Sequence, residues 1–423
     1  MPSRRKFLSS AFACATLAPR SLHALLENFP STYSDPSRAA SDEDFWTEIA
    51  RSFHVDRNWL YFNNGGVSAT GHPAFLAHSQ TREYVQGVPS QRLWHELRPK
   101  REAVRKALAE HWGIDSEELA LVRNTSEGLQ ICQMGLDFQT GDEVITTTQD
   151  YPRMLTAWKQ RERRDGIVLK QVKVPIPCSN PQAVVDAYEK AITPKTRLLM
   201  ICHMINLTGQ ILPVARVCEM ARKHGVQVMV DGAHGFAHFP FKMSDLGADY
   251  YATSLHKWLA APIGTGLLWM KKEHISKVWP LLAANEGQDL DIRKFEETGT
   301  SPIGGILAVM QALDLHKKIG DERKAARLRW LRDRWIAGLE DLPGFKLLTN
   351  LEPEHSCGIA TFSIEGMGCT KLHKYLIRNR IVISPILHPE MEGVRVSPSI
   401  YSTAKEVDRF VKRIRYAAKH GLD

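Results

Sequence analysis

Two residues carry the first chemical message. An apolar run, Val226 to Val230, ends in Asp231-Gly-Ala-His234, and 26 positions on (257 − 231) Lys257 stands within Thr253-Ser-Leu-His-Lys-Trp258. A carboxylate closing a buried strand, followed by a lysine flanked by Ser254 and His256, is what pyridoxal 5′-phosphate requires. The lysine amine can form a Schiff base with the cofactor aldehyde, and the carboxylate keeps the pyridine nitrogen protonated so that the ring accepts electrons. Each residue also has an ordinary reading, a surface lysine or a helix-capping aspartate. The surroundings decide between them.

The cofactor's phosphate needs hydroxyls and backbone N–H groups at a helix N-terminus, and Arg123-Asn-Thr-Ser-Glu-Gly128 supplies them directly after the first expected strand, with Thr125 and Ser126 as donors. The same string is also a good helix cap. With Asp231 and Lys257 in the same chain order, the sequence resembles the class V aminotransferase family of fold-type I enzymes, a group that includes cysteine desulfurases and isopenicillin N epimerase. The resemblance implies several further roles. Tyr151, after Gln149-Asp150, would stack on the cofactor ring where desulfurases commonly have histidine. Asn206 would bond the ring's 3′-oxygen, and His234, Ser254 and His256 would contact ring or phosphate. His203 is read as a structural histidine. Glu297-Thr-Gly-Thr300 resembles the segment that reaches a partner's cofactor phosphate through Thr300, which implies a symmetric homodimer.

At the substrate end, Val394-Arg-Val-Ser-Pro-Ser-Ile-Tyr-Ser-Thr403 is close to the family signature R-x-S-x-x-x-Y-N-T, with Ser402 in place of asparagine. Arg395 would hold a substrate carboxylate by a two-pronged pair that lysine cannot reproduce. Tyr61-Phe-Asn-Asn-Gly-Gly-Val-Ser68 resembles the N-terminal pocket loop of isopenicillin N epimerase-like members, placing Asn64 and Gly65 at the substrate. Desulfurases carry a nucleophilic cysteine ahead of the carboxylate arginine, and Ile381 to Glu390 contains none; Cys369 lies earlier, at a helix start. The expectation is therefore an epimerase-like or aminotransferase-like enzyme acting on an amino acid or a similar compound. A carbon–sulfur or carbon–selenium lyase without a persulfide cysteine is the alternative, and a non-catalytic periplasmic binding protein of this fold is a further one.

These residues need a scaffold, and the hydrophobic pattern describes one. From about 70 to 290 apolar strands alternate with amphipathic helices: 119–122, 143–147, 168–174, 197–202, 226–230, 250–253 and 266–270, within a large domain over 70–300. That alternation predicts a mostly parallel seven-stranded sheet between helices, with the last pair antiparallel. A long helix from Ile303 to Leu339 leads into a smaller C-terminal α/β domain over 301–423, and residues 41–69 form an N-terminal segment packed on it. Ligands collect at the carboxyl ends of strands in such sheets, which is where most of the candidates fall.

The chain has 423 residues, 43% hydrophobic and 24% charged, an ordinary globular composition. Its net charge of +8 includes +4 from Arg4, Arg5, Lys6 and Arg20, and the rest is too scattered to suggest nucleic acid. Ser3-Arg-Arg-Lys-Phe-Leu8 followed by a short apolar run looks like a twin-arginine export signal over residues 1–24, with a Pro/Ser-rich linker over 25–40. That predicts a periplasmic protein delivered by the twin-arginine translocation machinery, with no stable membrane anchor because the run is too short to span a bilayer. Seven dispersed cysteines without C-x-x-C spacing predict neither a disulfide framework nor a metal site.

Overall fold

A computed structural model describes residues 35–422, so the expected export signal and most of the expected linker lie outside the described residues. Seven strands form the large sheet: β2 (Leu119–Val122), β3 (Glu143–Thr147), β4 (Val168–Val172), β5 (Thr196–Cys202), β6 (Gln227–Asp231), β7 (Tyr250–Ser254) and β8 (Gly266–Met270), preceded by a short β1 (Leu60–Tyr61) elsewhere. The order is β2-β8-β7-β6-β5-β3-β4, and β8 alone runs antiparallel to its neighbours. The fold is the expected one, fold type I, with strand limits within about two residues of those read from the pattern.

Alternation along the strands explains the layering. Leu199, Ile201, Val228 and Val230 enter one core with Leu267 and Trp269. Leu198, Met200, Met229, Ala252 and Leu268 face the opposite core with Trp158. Both faces are covered, so the central strands are apolar throughout, as parallel sheets require.

The smaller unit is a four-stranded antiparallel sheet of β9 (Phe345–Leu347), β10 (Ala360–Ile364), β12 (Ser384–His388) and β13 (Met391–Val396), ordered β12-β13-β10-β9. Helices Cys369–Arg378 and Ala404–His420 pack on it, the second started by a capping box between Thr403 and Glu406. β11 (Ile381–Val382) leaves this sheet and pairs in parallel with β1. The N-terminal segment therefore has two attachments. Its strand joins β11, while Phe45, Trp46 and Ile49 of helix Glu43–Arg51 enter the large core.

Two expectations change. The long helix is two, Gly304–Ile319 and Asp321–Ala337, because Gly320 adopts φ +84° and breaks the hydrogen-bond ladder. Residues 36–40, expected within the linker, form a short helix capped by Asp35, with Ala39 and Ala40 buried. No helix among the described residues is long and apolar enough to cross a membrane.

Candidate active site

Asp231 ends β6 and Lys257 sits three residues past the end of β7, its neighbour strand, so the sheet itself brings carboxylate and amine together. Asp231 is buried and Lys257 half-buried, and each feels the other's charge. Burial dominates for Lys257 and pushes its amine down to about 8; the Asp231 charge opposes this and Arg395 reinforces it. Burial raises the Asp231 carboxyl, against a backbone hydrogen bond from Ala233 N (3.0 Å) and the lysine charge.

His234 lies against the lysine. Its Nε2 lies 3.3 Å from Lys257 Nζ, and its Nδ1 accepts from the Trp258 indole at 3.3 Å. An indole nitrogen only donates, so the neutral ring carries its proton on Nε2, facing the lysine. Burial holds His234 well below the usual imidazole range, which keeps the ring neutral. Trp258 is itself fixed by His238, whose ring stacks on it at 3.5 Å.

The phosphate end is assembled across the sheet. Thr125 opens helix Thr125–Gly135, capped by Asn124, so the cap and the expected phosphate loop are the same residues. Thr125 N donates to Ser254 Oγ at 2.9 Å, and the two hydroxyls are 2.7 Å apart. Ser126, half-buried, follows in the first turn. His256 Nδ1 is buried without a partner.

At the other end, Arg395 is buried on β13, where its Nη1 donates to Asn206 O and its Nη2 to Asn63 Oδ1, both at 2.8 Å. Its Nε and the Asn206 Oδ1 are buried and unpartnered. A Cβ placed on Gly65 would lie 3.4 Å from both Arg395 Cζ and His234 Cε1, so this glycine's backbone occupies the space between the arginine and the lysine's neighbour. Asn64 has its amide engaged by Tyr401 Oη, Ser397 O and Tyr61 O, which holds the loop in shape. A separate hollow of about 330 Å³ lies behind this loop, lined by Val55, Trp59, Tyr61, Val67 and Ile263; neither Lys257 nor Arg395 borders it.

Tyr151 begins helix Pro152–Asp165 with its side chain 40% exposed and makes no ring contact within the described residues. Thr300 is exposed in a loop. His203 is caged edge-on by Phe239, Phe241 and Tyr251, and burial pushes it down to about 3. Two residues escaped the sequence reading. Asn63 touches Arg395, and the Asn-Asn pair gave no sign of which member would do so. Asp150 is buried, accepts from Thr147 N (2.6 Å) and Cys202 Sγ (3.0 Å), and is pushed up to about 7, by burial first and also by the Asp231 charge.

Buried, unpartnered polar atoms on Arg395, Asn206 and His256, in a site with a lysine of lowered basicity and a carboxylate, are groups that a polar cofactor satisfies; the residues fit pyridoxal phosphate. The family model for class-V aminotransferases matches residues 77–410. The chain belongs to the class V aminotransferase family. The cofactor expected from Asp231 and Lys257, pyridoxal 5′-phosphate, is thus the family's own. Among its relatives, isopenicillin N epimerase of Streptomyces clavuligerus is 29% identical over 86% of this chain and 96% of its own. Among solved structures, the cystine C–S lyase C-DES in complex with its product cysteine persulfide superposes with TM-score 0.76 at 25% identity, covering 85% of this chain and 97% of that one. An apo cysteine desulfurase from Thermococcus onnurineus NA1 gives 0.77 at 24% identity over 88% and 98%, a likeness of fold.

Proposed function

We propose that this class V enzyme acts on an amino acid or amino-acid-like compound bearing a carboxylate, by epimerase-like or aminotransferase-like chemistry. The observation that carries the proposal is the pairing of Lys257, whose amine burial pushes down to about 8, with His234 Nε2 at one end of the site and the incompletely bonded Arg395 at the other.

Thr125, Ser126, Ser254 and His256 would hold the phosphate, Asn206 the 3′-oxygen and Asp231 the ring nitrogen. Pyridoxal phosphate, when bound, supplies an aldehyde for the substrate amine and a ring that accepts the electrons of a broken bond at the α-carbon. Arg395 binds the substrate carboxylate and so selects which α-carbon bond faces the ring. Lys257 Nζ, neutral above about pH 8, takes the α-proton and can return it. His234 donates toward Nζ and orients its lone pair. Tyr151 is the candidate for a proton donor on the opposite face or for a ring cover.

A second reading, a carbon–sulfur lyase, has its own support: the loop ahead of Arg395 has no cysteine, Cys369 is buried with its thiol donating to Ile386 O, and a cystine C–S lyase has the same fold. We propose a periplasmic homodimer: Arg4-Arg5 support twin-arginine export, and the exposed apolar side chains Trp94, Trp279, Leu281, Leu282 and Leu290 are of the kind a partner covers.

The test is spectral first. Purified protein loaded with pyridoxal phosphate should show a visible band that Lys257→Ala abolishes, with turnover down at least about 10²–10⁴-fold; a wild type that refuses the cofactor sinks the proposal. An amino-acid panel in heavy water then separates the chemistries. Solvent deuterium at a racemised α-carbon supports epimerisation, a keto acid with a new amine supports transfer, and pyruvate with a sulfur product moves the assignment to the lyase.

A further inference from the structure

His111, His316 and Asp321 come from three helices, Arg101–Trp112, Gly304–Ile319 and Asp321–Ala337, the last two meeting at the Gly320 break. Their donor atoms all lie within 4.8 Å of one another. Asp321 Oδ1 is 2.7 Å from His316 Nε2, and Oδ2 is 3.4 Å from His111 Nε2. These are ion-pair distances, and Asp321 stands between the two imidazoles. His316 Nε2, on a side chain 2% exposed, makes no well-aligned hydrogen bond. The three donor atoms border one small space.

Behind His316, its Nδ1 lies 3.4 Å from Lys324 Nζ, and Lys324 in turn donates to the carbonyl oxygen of Trp258, the residue after Lys257. No carboxylate among the described residues forms an ion pair with Lys324. Trp112, stacked on Phe236 at 3.7 Å, walls the cluster on its apolar side.

We infer that His111, His316 and Asp321 form a binding site for one divalent cation of the zinc class. Two imidazoles and one carboxylate, with bonds of about 2.0–2.2 Å to the ion, are a known tetrahedral donor set that leaves one position for water. The nitrogen donors argue against calcium or magnesium, which take oxygen ligands. Side chains of Asp321 and His111 are 32% and 17% exposed, so an ion can enter from solvent and a water can complete the shell. The bound ion would clip the break between the two connecting helices to the Arg101–Trp112 helix.

The test uses cofactor-loaded protein stripped with a chelator, then given zinc alone. Elemental analysis after dialysis should find about one zinc per chain, and calorimetry should find one tight site. His111→Gln and Asp321→Asn, both at partly exposed positions, should weaken that site by more than about 100-fold, beyond the 10–100-fold typical of losing an outer partner. Zinc should raise the melting temperature of the wild type and leave both variants unmoved. His316→Ala, if it folds, should behave likewise. Wild type that retains no zinc, or variants that bind it as tightly as wild type while keeping the cofactor band, overturns the inference and leaves two imidazoles sharing a carboxylate.

Discussion

At the scale of single residues, the site is governed by burial. Lys257 is a base at moderate pH because its charge is poorly solvated, and the nearby Arg395 adds to the effect. In apo-protein, the neutral amine that captures the aldehyde grows with pH through about 8 and then levels off. Stopped-flow absorbance should show capture rates reaching a plateau there, whereas a lysine of ordinary basicity would keep accelerating past pH 10. Arg395→Lys keeps the charge and loses the fork. Because hydrogen bonds to charged groups are worth about 1.5–3 kcal/mol, kcat/KM for a carboxylate substrate should fall about 10- to 150-fold, mostly through KM. An unchanged KM would move the carboxylate site elsewhere. Residues read from motifs in the sequence, such as Asp231, Lys257 and Arg395, are the ones the fold gathers. Asp150 and Asn63 were illegible because their importance lies in what they face: Cys202 and Arg395 belong to distant strands, and no local pattern reports that.

Among the elements, the strands were readable almost to the residue because both faces of a buried parallel sheet must be apolar. The break at Gly320 was not, since glycine within a helical pattern costs only about 1 kcal/mol and is often tolerated; here an aspartate follows it and starts a new helix. Glu296 shows another limit. It is buried at the end of a short helical turn, accepts from Leu121 N (2.7 Å), pairs with Arg105 Nη1 (2.5 Å) and also binds Arg101. This single carboxylate ties the loop bearing Thr300 to β2. Glu296→Ala would leave Arg105 buried without that partner, so it should destabilise the fold by about 3–5 kcal/mol in urea denaturation. A loss below about 1 kcal/mol would show the loop to be held by other contacts.

For the whole molecule, buried ionisable groups set the response to acid. His203 and His256 are pushed down to about 3 and about 4, and His234 and His238 lie well below the normal range, all chiefly by burial. Unfolding lets each take a proton near 6.5, so the unfolded chain binds more protons below that pH. Stability is then lost as pH falls from about 6.5, by up to about 1.4 kcal/mol per pH unit for each histidine. Asp150 and Asp231, raised by burial, act in the opposite sense, losing stability as pH rises from the ordinary carboxylate range towards about 7 for Asp150. Four groups outweigh two, so thermal melts should show a steep decline below pH 6. A flat profile between pH 4 and 6.5 would mean that these histidines titrate normally.

The antiparallel run of β8 has a consequence for how the lysine competes. Lys257 lies on the short connection 255–265 between two hydrogen-bonded strands, anchored at both ends by ladder pairs at Ser254 and Gly266. A tether so short keeps the amine within a small volume, which makes its local concentration far higher than that of any free amine in solution. With pyridoxal phosphate bound, such a tether would favour Lys257 over dissolved amines for the cofactor aldehyde, and a longer, slacker connection should show itself as gradual loss of cofactor.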